Sequence, residues 1–361
     1  MPHSRHRGHT AYEKSSEPRE SFLYECEVME GLEPLAAKEI RRLLPDVRML
    51  RGSREHGTVR LVTYAPLSPR VWRKLRFSEA IFSVQHHDVP RPKALLGDQY
   101  FKRLVAQIED AIHASGEPMT SLYISAAGAE SPVMIRLKTD LAARLNVTPA
   151  KVGDIQVRIV PGPDDKGWET IVRLSAKPLS TRAWRVRNFE GALNATAAAV
   201  MGYLTQPTTD DAIINLCCGS GTLAIERALL GGYKAIYALD KDSSVLRLAE
   251  ENAQAASVNI TFEKGDATHT RFENSQFDAV LADLPFGNKV GSHRVNLALY
   301  EPLLLEAARL LRPGGTFVLI THEVSLIDSI LEQQAAFWSP DKVLPVVQRG
   351  LHPRIYVLKR R

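Results

Sequence analysis

Asp283 closes the apolar run Val280-Leu281-Ala282 and is followed by Leu284, Pro285 and Phe286. The run suits a strand covered on both faces, and Pro285 forbids its continuation through a sheet interior. In the plainest reading the acid and the proline form a strand-to-loop turn. In a site, the same acid is a hydrogen-bond acceptor delivered to a strand end. Two further groups bear on that choice. The stretch "NLCCGSGT" (215–222) sets Gly219 and Gly221 in a strand-to-helix turn, where the backbone passes close to a ligand because no Cβ intervenes. Thr222 opens the following helix, whose first amides are free to meet a polar group. Asp240 lies 21 residues beyond Gly219, the spacing of an acid that accepts both hydroxyls of a ribose. Asp266, in "EKGDATH" (263–269), follows a third strand, where a carboxylate can accept from an adenine amino group. A dinucleotide site would want a third glycine after two spacers from Gly221; Ala224 stands in that place instead.

The elements that must position these residues alternate. Strands are expected at 212–216, 235–239, 258–262, 278–282 and 316–320, with helices at 221–231, 243–256, 299–312 and 324–335. Such alternation predicts an α/β fold, a mostly parallel sheet with helices on both faces. The last two strands, within 342–350 and 354–360, flank a short Gly-Leu-His-Pro turn and should pair as an antiparallel hairpin. Ahead of this lies an α+β region. Its strand candidates are 22–28 and 57–63, with an amphipathic helix at 33–44. A second unit begins near residue 96, with helices at 99–114 and 134–145 and strands at 121–125, 154–160 and 168–175.

The chain has 361 residues, 44% hydrophobic and 24% charged, as in ordinary globular proteins. It shows no apolar run of membrane-spanning length and no signal-peptide core, so a cytoplasmic protein is expected. Cys26, Cys217 and Cys218 are too few and too unevenly placed for a disulfide framework or a zinc site, and no metal is expected. Residues 1–20, rich in Ser, Arg, Glu and Pro, read as a disordered tail. Charge is uneven: residues 1–190 hold 30 Lys+Arg against 23 Asp+Glu, and the rest 16 against 18. A basic front suits a polyanionic partner. "RVWRKLRF" (70–77) and "TRAWRVRNF" (181–189) interleave cations with aromatics, which suits phosphate contact and stacking. Trp72 and Trp184 themselves read as core.

With these features in hand, residues 193–361 resemble the Rossmann-like S-adenosylmethionine-dependent methyltransferases, whose glycine-rich motif "NLCCGSGT" is similar to. "DLPFG" is similar to the acid/Asn-x-Pro-aromatic motif of enzymes that methylate exocyclic amines. "DLPFGNKVGSHRVNLALY" and "STRAWRVRNFEGALNATAAAVMGYL" resemble the THUMP-domain-containing guanine-N2 methyltransferases of tRNA. The resemblance implies a ferredoxin-like domain (21–95), a THUMP-like RNA-binding domain (96–178), a linker (179–192) and a catalytic domain (193–361). It implies a cofactor site of Asn194, Asn215, Cys217, Gly219, Ser220, Gly221, Thr222, Asp240, Lys241, Asp266, Ala267 and Asp283. Asn215 stands where the family usually has an acid and offers an amide oxygen without charge. The stretch 121–132 (SLYISAAGAESP) carries no cation where RNA contact would be expected.

The chemistry then assigns roles to the strand-end loop. Guanine's exocyclic amine is a poor nucleophile, so catalysis must orient the nitrogen and accept its N–H groups as charge develops. Asp283 and the Leu284 carbonyl are the expected acceptors, Pro285 fixes the turn, and Phe286 offers a face for a flipped base. Cysteine-nucleophile methylation is disfavoured, since no cysteine occupies this loop. Arg70, Arg73, Lys74, Arg182, Arg185, Arg187, His293 and Arg294 are the candidate RNA contacts, with tRNA the expected partner and a monomer the default state. Two alternatives stay open: another amine acceptor (adenine in RNA or DNA, or a protein glutamine amide), and a methyltransferase-like module that binds RNA without turnover.

Overall fold

Short apolar strands alternate with one-sided helices along the second half of the chain, and such elements bury themselves only by layering. The computed structural model describes residues 20–50, 56–285, 293–348 and 350–361. The expected tail, except Glu20, lies outside the described residues.

The front region runs β1 (Phe22–Val28), α1 (Glu33–Leu43), β2 (Arg48–Met49), β3 (Thr58–Thr63), α2 (Pro69–Trp72), β4 (Ser78–His87), α3 (Asp98–Ser115), β5 (Ser121–Ala126), α4 (Pro132–Leu145), β6 (Thr148–Pro149), β7 (Ile155–Pro161) and β8 (Trp168–Arg173). The second half runs α5 (Ala195–Leu204), β9 (Ala212–Leu216), α6 (Thr222–Leu229), β10 (Ala235–Asp240), α7 (Ser243–Ala255), β11 (Thr261–Lys264), β12 (Phe277–Asp283), α8 (His293–Leu310), β13 (Leu311–Thr321), α9 (Val324–Gln333), β14 (Trp338–Pro345) and β15 (Arg354–Arg360).

The second half builds a seven-stranded sheet in the order β11-β10-β9-β12-β13-β15-β14. Strands β9 to β13 are parallel, and β15 runs antiparallel to both β13 and β14. Strand order reverses between β9 and β12, where open α/β sheets bind ligands at the carboxyl ends of the strands. This is the parallel α/β sheet with a reversed terminal hairpin that the alternation predicts, and it agrees with the fold that the methyltransferase resemblance implies. Two strands are displaced from the sequence expectation: 258–262 against β11 from Thr261, and 342–350 against β14 from Trp338. Val258 and Ile260 instead pack against the core around Trp184.

The front region forms one eight-stranded sheet, β2-β3-β1-β4-β8-β7-β5-β6. Its centre is β4, which pairs with β1 on one side and β8 on the other. The sequence reading placed no strand at 78–87, because Gln85, His86 and His87 blur its alternation. Buried His87 bonds the Thr170 hydroxyl at 2.8 Å, and Gln107 of α3 donates to the carbonyls of Ser83 and Thr170, whereas the buried Gln85 Oε1 has no partner among the described residues. Burial holds His87 neutral, its pKa lowered to about 4.

One large hydrophobic cluster draws on both halves, and a second, around Phe277 and Tyr300, lies within the second half. Helix α5 is buried along nearly its whole length, and Gly202 lets it close onto α6, since a Cβ there would lie 3.1 Å from the Arg227 Cα. On its front side Tyr203 meets Phe77 edge-on at 5.3 Å, a contact worth about 0.5–1.5 kcal/mol.

Candidate active site

The parallel register aligns Leu216 at the end of β9 with Ala282 on β12, and Asp283 with Ile320 on β13. The glycine turn, Asp240 and Asp283 therefore emerge along one carboxyl edge. Within the turn Cys217, Gly219 and Gly221 all have positive φ (54°, 53° and 81°). At Cys217 this left-handed conformation is strained, with a cost of roughly 1–2 kcal/mol. The turn is pinned by Cys218 N–H donating to Leu239 O and Gly221 N–H donating to Cys218 O, both at 2.9 Å. Asp240 accepts from Gly219 N–H at 2.9 Å and from Asp242 N–H at 3.1 Å. Asp266 is exposed and accepts from the Thr268 amide and hydroxyl, which hold its carboxyl below the usual range. Burial, together with the negative charges of Asp240, Asp283 and Asp266, pushes the Cys217 thiol up to about 12, with Lys241 opposing. These acids and the lysine thus surround one point, and neither Cys217 nor the buried Cys218 is a ready nucleophile.

The Asp283 carboxylate has no hydrogen-bond or ion-pair partner among the described residues, and burial raises its pKa to about 7. Leu284 is buried, and its N–H donates to Ile320 O at 3.1 Å. The Pro285 carbonyl accepts two hydrogen bonds, from Tyr300 OH at 2.7 Å and Asn296 Nδ2 at 2.9 Å. Tyr300 also bonds Thr321 Oγ1 at 2.8 Å, and Thr321 in turn accepts from Glu323 N–H. Asn296 and Tyr300 are one helical turn apart on α8 and share a face; that spacing of two polar groups in an apolar helix is the signal the sequence reading passed over. Tyr300→Phe is expected to loosen the turn, lowering any turnover about 3- to 10-fold while leaving cofactor affinity unchanged, as steady-state kinetics and calorimetry would read. Phe286 lies outside the described residues, as do the side chains of His293 and Arg294 in the first turn of α8.

Two cofactor candidates are engaged differently from the expectation. Asn194 caps α5, accepting from the Thr196 and Ala197 amides, while its Nδ2 donates to Glu79 at 2.8 Å. Asn215 is fully buried; its Nδ2 donates to Leu216 O and Leu281 O, and its Oδ1 has no partner. Ser220 offers its carbonyl to Asn252 Nδ2 at 3.2 Å, and Ala267 is buried beside Asp266.

Two of the arginines of 181–189, Arg182 and Arg185, require a correction as RNA contacts, because the fold occupies their donors. Arg182 is buried and spends its three donor nitrogens on Glu226, Leu179 O and Arg76 O. Arg185 donates to Leu193 O and Thr222 Oγ1 at 3.0 Å each. Arg187 is exposed but pairs with Glu251 at 2.6 Å, and its backbone is bonded both ways to Asn252. The segment is a strap laced onto the glycine turn, because Glu226 and the carbonyls that meet Arg182 and Arg185 lie inside the fold. Trp72 and Trp184 are core, as read. Arg70 and Lys74 are exposed with no partner among the described residues, whereas Arg73 donates to Ser115 O and pairs with Glu117. Among the described residues no group of three or more His, Cys, Asp or Glu is placed to hold a metal, and no helix is long and apolar enough to cross a membrane.

The chain is similar to known proteins. Residues 182–345 match the UPF0020 family (RMKL-like, methyltransferase domain). The chain is 31% identical over 210 residues to a tRNA (guanine(6)-N2)-methyltransferase of Thermus thermophilus, an alignment covering 57% of this chain and 60% of that one. It is 27% identical over 207 residues to the mouse tRNA (guanine(6)-N(2))-methyltransferase THUMP3, covering 53% of this chain and 41% of that one. The match thus spans less than two thirds of the length of these curated relatives. The crystal structure of TrmN from Thermus thermophilus superposes with a TM-score of 0.73 at 25% identity, covering 94% of this chain and 100% of that one.

Proposed function

We propose that residues 182–345, which match the UPF0020 (RMKL-like) methyltransferase-domain model, act as a methyltransferase domain, and that the chain transfers a methyl group from S-adenosylmethionine to the exocyclic N2 amine of a guanosine in tRNA. The observation that carries this reading is Asp283: a carboxylate at the switch point of the sheet, beside the glycine turn, with a pKa raised to about 7 and no partner among the described residues. A structural acid would be paired; an acid left to accept hydrogen bonds from a substrate would not.

The residues at the edge fit the cofactor. A Cβ at Gly219 would meet only the Phe189 ring, at 4.0 Å, so the backbone there is open to a ligand. Asp240 keeps lone pairs beyond its two amide bonds for ribose hydroxyls, and Asp266 keeps one oxygen for an adenine amine. The orphaned Oδ1 of Asn215, which costs about 1–3 kcal/mol if left unmet, is an acceptor without a donor. When bound, S-adenosylmethionine supplies an electrophilic methyl on a cationic sulfur, and three acids suit that charge. Asp283 accepts one N–H of the target amine and the Leu284 carbonyl the other. Tyr300 and Asn296 hold the Pro285 carbonyl, so the two acceptors converge without reorganisation. The proton shed by the methylated nitrogen passes to the Asp283 carboxylate, whose pKa lies near working pH as a general base requires. Phe286 supplies the stacking face for the base.

The front region, proposed as ferredoxin-like (21–95) and THUMP-like (96–178), would hold the tRNA, with Arg70 and Lys74 the best-placed cations of those named. Replacing both by alanine is expected to weaken tRNA binding about 3- to 30-fold and to flatten its salt dependence, read by filter binding across a salt series; thermal stability should hold, since neither residue is paired. We also propose a cytoplasmic monomer that needs no metal. Mass spectrometry of nucleosides from tRNA treated with the purified full chain and labelled cofactor tests the whole reading. N2-methylguanosine is the expected product; N6-methyladenosine, or cofactor binding with no transfer to any RNA, would replace the reading by one of its alternatives.

A further inference from the structure

Glu226 is fully buried one turn into α6, the helix that begins at the glycine turn, and it receives two arginines from outside the catalytic sheet. Arg76, in the turn leading into β4, donates Nε and Nη2 to Oε2 at 2.9 and 2.5 Å. Arg182, on the strap, donates Nε to Oε1 at 2.8 Å and uses Nη2 to grip Arg76 O at 2.7 Å. The Arg76 backbone is pinned in turn: Glu39 of α1 accepts from the amides of Arg76 and Phe77 at 2.9 and 3.0 Å. A second tie lies nearby, where Glu79 of β4 accepts from Asn194 and Thr196 at the start of α5. The front sheet and the helices that flank the cofactor turn are therefore tied at two acids, of which Glu226 is the fully buried one.

A buried Arg–Glu–Arg group is a poor way to gain stability, because desolvation offsets most of the attraction; its best-attested use is to fix register. Here the register it fixes is the angle between the front sheet and the carboxyl edge that bears Asp283. We propose that Glu226 is a positioning residue that determines which nucleotide of an RNA held by the front region reaches Asp283. The proposal rests on the RNA methyltransferase reading above and deepens it. With RNA held at the front, a fixed angle delivers one nucleotide to the site, whereas a loose angle delivers several neighbours.

The test uses the full chain with Glu226→Gln and, in case that variant does not fold, Arg76→Gln, in which Arg182 still neutralises Glu226. Both should keep tRNA and S-adenosylmethionine affinities within about threefold of wild type. Both should lower transfer to the wild-type target at least about tenfold and place a measurable share of methyl on adjacent nucleotides, mapped by mass spectrometry of nuclease fragments. Spin labels at exposed Thr139 on α4 and Gln254 on α7 should give one narrow distance in wild type and a broadened one in the variants. An unchanged methyl pattern overturns the proposal, as does turnover that falls only in proportion to the folded fraction. If wild type methylates no RNA, the functional reading falls on its own; the label distances still decide the clamp, and a narrow distance in Arg76→Gln refutes it.

Discussion

Asp283→Ala is expected to lower methyl transfer by about 10²-fold or more, the range seen when one group that stabilises developing charge is removed. Cofactor affinity, by calorimetry, should change little, because the proposed ribose and adenine contacts lie on Asp240 and Asp266. Its raised pKa adds a pH signature. Below about 7 the carboxyl is protonated and cannot accept an N–H, so the wild-type rate should fall about tenfold per pH unit on the acid side and level off above 8. Stability should move the other way. A carboxyl whose folded pKa lies above its unfolded value favours the native state when protonated, so that stability is present in acid and lost as pH rises from about 4 through about 7. Asp283→Asn removes this loss: it should unfold at a higher temperature than wild type at pH 8 and match it near pH 4. A variant with wild-type turnover, or a flat wild-type pH profile, would remove Asp283 from the mechanism.

Asp240→Ala should weaken S-adenosylmethionine binding at least tenfold, on the order of 1.5–3 kcal/mol for a hydrogen bond to a charged group. The loss should exceed that of a surface contact because the same carboxylate holds Gly219 N–H at 2.9 Å and so shapes the turn it would share with the ligand. Asp240→Asn, which keeps one acceptor oxygen for Gly219, should lose less. Calorimetry on folded protein decides; unchanged affinity in the alanine variant would mean that ribose is held elsewhere.

Separating the two halves is a poorer experiment than either substitution. Cutting near residue 178 would strip α5 of Phe77 and leave Glu226 without Arg76, exposing apolar surface and a half-paired carboxylate together. Loss of tRNA binding in such a fragment would not distinguish a missing RNA surface from a damaged fold.

Local chemistry was legible in the sequence. Glycine turns, strand periods and the acid spacing depend on residues close in the chain, so the sheet, the turn at 217–221 and the strand-end position of Asp283 follow from them. The arginines of 181–189 show where that reading ends. As a string of cations and aromatics they look made for phosphate, yet Arg182 and Arg185 point inward, since what a charged side chain does depends on which acid the fold brings to it. Arg76 meets Glu226 across 150 residues of chain, and Tyr300 meets Thr321 across 21. Such pairings carry no periodicity and no fixed spacing. The same holds for the acidity of Asp283: its identity and place are local facts, but its pKa is set by the walls that exclude water from it, and those are assembled only when the sheet closes.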